Sequence, residues 1–175
     1  MTTSSISRLQ FLRGDFNGKQ QPLRPPWAGS EAEFIANCER CGECIKACPE
    51  NILEKGRGSF PQVNFQHGEC TFCGFCVEQC PNNTLQRRDN QPPWQLKAHI
   101  EAHCLAKRGI ICVTCRESCE VEAIHFQLAR VAVPEINLEE CNGCGACYQA
   151  CPATAIIMKN DKSTTDLGNN RILGF

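Results

Sequence analysis

The sequence predicts an α+β chain of two tandem modules, each made of short strands and short helices with little conventional core. Three observations predict this. Sixteen of the 175 residues are cysteine. Seven of those cysteines have a partner 71 residues later. The remainder is poor in large side chains, with two Trp and one Tyr. Small domains with thin cores usually need disulfides or metal to hold them.

The repeat fixes the organisation. Cys41, Cys44, Cys48, Cys70, Cys73, Cys76 and Cys80 map onto Cys112, Cys115, Cys119, Cys141, Cys144, Cys147 and Cys151. Cys38 would map onto Gly109, and Cys104 lies five residues upstream of that. The tripeptide PPW (25–27 and 92–94) settles the eighth position. Trp27 precedes Cys38 by 11 residues and Trp94 precedes Cys104 by 10, so Cys104 is the counterpart of Cys38. The segments FPQVNF (60–65) and VPEINL (133–138) also align. Module one is expected over 27–88 and module two over 94–159, joined by a proline-containing polar linker at 89–93. The polar segments 1–26 and 160–175 are expected to be loosely held.

The elements follow in order. Trp27 and Trp94 are expected to anchor the strand or helix that opens each module. In each motif the last two cysteines are four residues apart, one helical turn, as in CIKAC and CVEQC. A proline after the fourth cysteine would stop or redirect that turn. NILEK and QVNF read as short strands around the turn signal GRGS, and AIHFQL and EINL repeat them. TLQ (84–86) and AIIM (155–158) are candidate closing strands.

Three motifs read C-x2-C-x2-C-x3-C-P, a known iron–sulfur ligand pattern. Three cysteines on a curled loop reach three corners of one cubane, and the fourth faces a second. Two motifs then exchange their fourth ligands. This assigns Cys38, Cys41, Cys44 and Cys80 to one [4Fe–4S] cluster and Cys70, Cys73, Cys76 and Cys48 to a second. Cys141, Cys144, Cys147 and Cys119 take a third. Cys104, Cys112, Cys115 and Cys151 take the fourth. The expected fold is therefore two tandem bacterial-ferredoxin-like 2[4Fe-4S] modules. The motif at Cys104 is the irregular one. Its first spacing is C-x7-C, Glu120 stands where the others have proline, and Lys107 and Arg108 make the added loop basic. Cys104 is expected to be the most open of the first ligands, and its cluster the most labile.

Structural zinc is the competing reading, since paired CxxC units often hold it. Zinc sites, however, take two cysteines from each of two separated pairs, not four within 11 residues. A disulfide scaffold would call for a secreted chain. The N-terminus shows no apolar run like a secretory signal, and no stretch approaches the roughly 20 residues of a membrane span. A reducing cytoplasm is the expected compartment.

Formal net charge is −1 with no basic excess, which argues against nucleic acid. Four clusters at −2 each would bring it to about −9, a charge suited to a basic patch on a partner. His67 and His103 lie near ligands, but a full cysteine set leaves them no vacancy. There is no Ser/His/Asp arrangement, phosphate loop or dinucleotide fingerprint. Electron transfer or an accessory role is expected, not catalysis.

Taken together, RPPW (24–27), CERCGECIKACPENIL (38–53), FPQVNF with ECTFCGFCVEQCP, CLAKRGIICVTCRESCE (104–120) and CNGCGACYQACPATAI (141–156) resemble the NapF-type ferredoxins encoded with periplasmic nitrate reductases. The resemblance covers nearly the whole chain, and RPPW and the widened third motif make it specific. It implies a cytoplasmic protein with four [4Fe–4S] clusters. It also implies a partner, the catalytic subunit of periplasmic nitrate reductase before export, whose maturation the protein assists with electrons or cluster. The alternative is a general soluble electron carrier or wiring subunit. SRLQFLRG (7–14) resembles a twin-arginine export box with Leu9 in place of the second arginine. No apolar stretch follows it, so it is read as non-exporting.

Overall fold

Four short helices carry the third cysteine of each motif, and everything else is arranged around them. The computed structural model describes residues 22–89 and 91–161; the SRLQFLRG segment and most of the C-terminal tail lie outside the described residues.

Module one begins with residues 22–30, then α1 (Glu31–Asn37) and α2 (Glu43–Lys46). Ser30 caps α1, with Glu33 completing a capping box, so two otherwise unpaired N–H groups are satisfied reciprocally. A hairpin follows, β1 (Leu53–Lys55) and β2 (Pro61–Val63), in the register Leu53↔Val63. A 3-10 turn at Arg57–Ser59 joins its strands. α3 (Phe75–Glu78) carries Cys76. Module two runs β3 (Leu96–Ile100), a 3-10 turn (Ala106–Arg108), α4 (Thr114–Glu117), hairpin β4 (Ile124–Phe126) and β5 (Pro134–Ile136), α5 (Ala146–Ala150), and β6 (Ile156–Asn160). β3 and β6 pair antiparallel, with Ile100 opposite Ile156 and Leu96 opposite Asn160.

The two PPW segments have different consequences. After Trp94 the chain forms a strand; after Trp27 it forms a helix. TLQ, expected as a closing strand, is not one. Its neighbour is the segment Pro22–Trp27, whose three prolines offer no N–H to a ladder. A single bond remains there, from the Gln86 N–H to the Trp27 carbonyl at 3.1 Å. Leu85 is nonetheless fully buried. AIIM lies largely in β6, where no proline interferes.

Part of the segment expected to be loose is packed. The Arg24 guanidinium pairs with both carboxylate oxygens of Glu31 at 2.8 Å and donates to the Pro61 carbonyl at 3.1 Å. It lies over the rings of Phe34 (5.0 Å) and Phe60 (5.4 Å). One arginine thus ties residues 22–26, α1 and β2 together, and its planar fork suits that task better than an ammonium. The cores themselves are small. Phe34, Ile52, Leu53, Val63, Phe65 and Leu85 fill module one. Ala98, Ala123, Ile124 and Ile156 share module two with its cysteines.

The modules meet through aromatic side chains. Trp94 lies edge-on to Phe65 (6.0 Å) and Phe72 (5.8 Å), and Phe65 also faces Tyr148 at 6.2 Å. The Trp94 indole N–H donates to the Asn142 carbonyl at 3.0 Å, and the Trp27 N–H to the Pro93 carbonyl at 2.6 Å. No helix among the described residues is long and apolar enough to cross a membrane.

Phe34 is the largest fully buried side chain of module one. Phe34→Ala is expected to lower stability by about 3–5 kcal/mol. Anaerobic denaturation followed by circular dichroism checks this, and an unchanged midpoint would remove Phe34 from the core that supports the cysteines.

Candidate metal centres

The three regular motifs fold alike, while in the third motif Val113 follows the second cysteine with φ −126. Gly42, Gly74 and Gly145 follow the second cysteine of the regular motifs and begin α2, α3 and α5 with φ of +81, +87 and +89. That backbone strains any residue with a Cβ. The turn curls the chain so that the second and third cysteines face the same way. Arg40, Phe72 and Gly143, just before the second cysteine, also have positive φ.

The fourth cysteine opens a tight turn. The N–H three residues on donates to its carbonyl in every motif: Asn51 to Cys48 and Asn83 to Cys80 at 3.2 Å, Glu122 to Cys119 and Thr154 to Cys151 at 3.1 Å. Those four donors all have positive φ, from +48 to +54. Proline suits the second position of such a turn. Glu120 occupies it in the third motif and the turn forms all the same, so proline favours the turn and is not required for it. Asn51 and Asn83 were the readable signal, since Asn tolerates this region; Glu122 and Thr154 gave none.

The sixteen thiols are free of disulfides and gather in four groups, each around its own cavity. Cys38, Cys41, Cys44 and Cys80 line one of about 380 Å³, with Phe34 and Leu85. Cys48, Cys70, Cys73 and Cys76 line one of about 350 Å³. Cys119, Cys141, Cys144 and Cys147 line one of about 320 Å³. Cys104, Cys112, Cys115 and Cys151 line one of about 350 Å³. In each, three cysteines come from one motif and the fourth from its sister motif.

Among the described residues, no three Cys, His, Asp or Glu side chains converge on a point that one metal ion could occupy. Sulfurs spread around a cavity suit a polynuclear group instead.

Electrostatics favours a cationic occupant. Burial pushes the thiols of Cys44, Cys70, Cys76 and Cys147 up to about 12, and neighbouring cysteines of the same group add to the shift. Cys115 is pushed to about 11 for the same reasons, and burial raises Cys144 as well. Four thiolates in a poorly solvated space repel one another, and positive charge at their centre reverses that balance. Backbone N–H groups already point at several sulfurs. Phe72 donates to Cys70, Ala146 to Cys144, and Ala155 to Cys151 at 3.3 Å. Such hydrogen bonds tune the potential of an iron–sulfur group.

Cys104 departs from expectation. It is buried, at 9% exposure, and not the most open first ligand; Cys38 is more exposed. The inserted residues fold back on themselves. The Arg108 N–H donates to the Cys104 carbonyl at 3.0 Å, and the Ile110 N–H to the Leu105 carbonyl at 2.9 Å. The Lys107 ammonium donates to the Ile100 carbonyl at 2.7 Å. Ala106 and Ala155 then close over Cys104. Exposure is displaced further along, to Ile110 (53%) and Ile111 (80%).

The two histidines stay at the surface. His103 contacts the Thr154 carbonyl at 3.3 Å, and His67 is exposed.

The 4Fe-4S dicluster domain family matches residues 37–91, and the 4Fe-4S binding domain family matches residues 134–157. These matches leave the widened motif outside. A longer likeness includes it. The ferredoxin-type protein NapF of Haemophilus influenzae is 47% identical over 174 residues, 93% of this chain and 98% of that one. The chain belongs to the NapF family of ferredoxin-type proteins. The Escherichia coli K12 NapF is 41% identical over 152 residues, covering 86% of this chain and 92% of its own. The methylamine utilization ferredoxin-type protein MauM of Methylorubrum extorquens is 31% identical over 169 residues, covering 85% and 76%. The two domain matches make the cofactor of the [4Fe–4S] kind.

Because the turn after Cys119 matches the three that hold proline, Glu120→Pro is expected to be tolerated. It should raise stability by about 0.4–1 kcal/mol by restricting the unfolded chain. A lowered denaturation midpoint would show that Glu120 makes the turn in a way the other motifs do not.

Proposed function

We propose that the sixteen cysteines hold four [4Fe–4S] clusters in the groups that line the four cavities, and that the protein serves as a cytoplasmic maturation factor. In this reading it binds the catalytic subunit of periplasmic nitrate reductase before that subunit is exported. The observation that carries the cluster assignment is the convergence of four cysteines, three plus one, on each cavity. A bound cluster supplies one-electron chemistry at low potential. The chain's own residues supply the thiolates, the N–H donors that tune them, and the apolar walls that limit water. The partner is supported by family membership over nearly the full length. A protein of this kind carries electrons or cluster and needs no catalytic residue of its own.

A second reading, a general electron carrier or wiring subunit, is favoured by the direct contact between modules, which a mere pair of independent binding units would not need. Affinity capture with the cytosolic, signal-bearing catalytic subunit separates the two. Specific retention of that subunit is expected. Absence of retention, combined with fast reduction by quinol-oxidising components, would overturn the maturation role.

Anaerobically purified protein should contain about 16 iron and 16 sulfide per chain. Cys104→Ser is expected to alter one cluster in four, seen as lost iron or a three-iron EPR signal. Unchanged iron and an unchanged spectrum would remove Cys104 from the ligand set.

A further inference from the structure

Exchange of the fourth cysteine sets two groups side by side within a module. Nothing in the repeat obliges the modules themselves to touch. They do so at a particular place. The Cys70 N–H donates to the Cys144 carbonyl at 2.8 Å. Cys70 lines the second cavity and Cys144 the third. The aromatic side chains of Phe65, Phe72, Trp94 and Tyr148 pack around this junction. Gly145, next to Cys144, lets the modules approach, because a Cβ there would run into the Phe65 ring.

We propose that the Cys70–Cys144 contact joins the two modules into one electron path. The series starts at the group of Cys38, Cys41, Cys44 and Cys80 and passes to Cys48, Cys70, Cys73 and Cys76. It crosses the junction to Cys119, Cys141, Cys144 and Cys147, and ends at Cys104, Cys112, Cys115 and Cys151. Transfer at the junction moves one electron. The group on one side is oxidised by one electron and the other is reduced by one. No bond forms or breaks, and no proton is required. The external donor is a one-electron reductant of low potential, dithionite in the test below.

The inference rests on the cluster loading proposed above and not on the partner.

The test uses full-length holoprotein and the double variant Cys41→Ala/Cys112→Ala, which removes a ligand from each terminal group. Where its iron falls to about half that of the wild type, the variant keeps only the two inner groups. Fully reduced with dithionite, it is expected to show an EPR signal split or broadened by spin–spin interaction. That splitting should collapse when less than half the iron–sulfur groups are reduced. Two unperturbed signals at full reduction would overturn the junction while leaving the cluster assignment intact. Should the variant lose all its iron or keep three-iron groups at its ends, iron-edge anomalous maps from crystals of the wild-type holoprotein decide. The two inner groups are expected to be the nearest pair across the modules, and any other order overturns the series. Wild-type protein without iron would sink the loading itself, a failure that metal analysis tells apart from the others.

Discussion

Thiol groups that have been brought together out of water resist ionisation, and that resistance organises the whole chain. Burial raises Cys44, Cys70, Cys76 and Cys147 to about 12, so the ligand form is unfavourable until positive charge arrives. The small apolar cores around Phe34 and Ile124 are better suited to closing cavities than to holding a chain of this size folded. Metal binding and folding are then two views of one equilibrium. The exchanged fourth cysteines make the coupling reciprocal. Cys48 and Cys80 each belong to the cavity of the sister motif, so neither half of a module is complete before the other.

Much of this was legible because cysteine spacing encodes geometry directly. The four groups around the four cavities are those that the motif spacing assigned, including Cys104, whose place was fixed by its distance from PPW. What spacing could not convey was what the chain does between ligands. The same PPW leads into a helix in module one, because Ser30 and Glu33 cap it, and into strand β3 in module two. TLQ fails as a strand because its neighbour is rich in proline, a long-range reason that a local pattern does not contain. The C-x7-C loop reads as a loose tether from its length alone. It is compact because the Lys107 ammonium and the Arg108 N–H find nearby carbonyls.

The aromatic residues were the least legible. Trp94 reads as an anchor for its own module, and it is one, through Asn142. Its ring also receives Phe65 and Phe72 from module one. A single side chain thus serves a core and a contact between cores. Composition counts such a residue once and cannot divide its roles. Four of the large aromatic side chains, Phe65, Phe72, Trp94 and Tyr148, gather where the modules meet.

Gly145 beneath Phe65 has a consequence for which faces of the two modules can meet. The contact is heterologous: one module offers a ring, the next a glycine that receives it. Such contacts do not close on themselves and can propagate. Here both free ends are altered. Leu138 stands where a second ring would be. Gly74, the counterpart of Gly145, lies under the side chain of Arg87, which bonds the Cys73 carbonyl at 2.8 Å and stacks on Trp27 at 5.0 Å. Module one carries its own cap, and module two lacks the ring to seek another. Among the described residues, the ring-on-glycine pairing of Phe65 and Gly145 is thus matched at neither outer face.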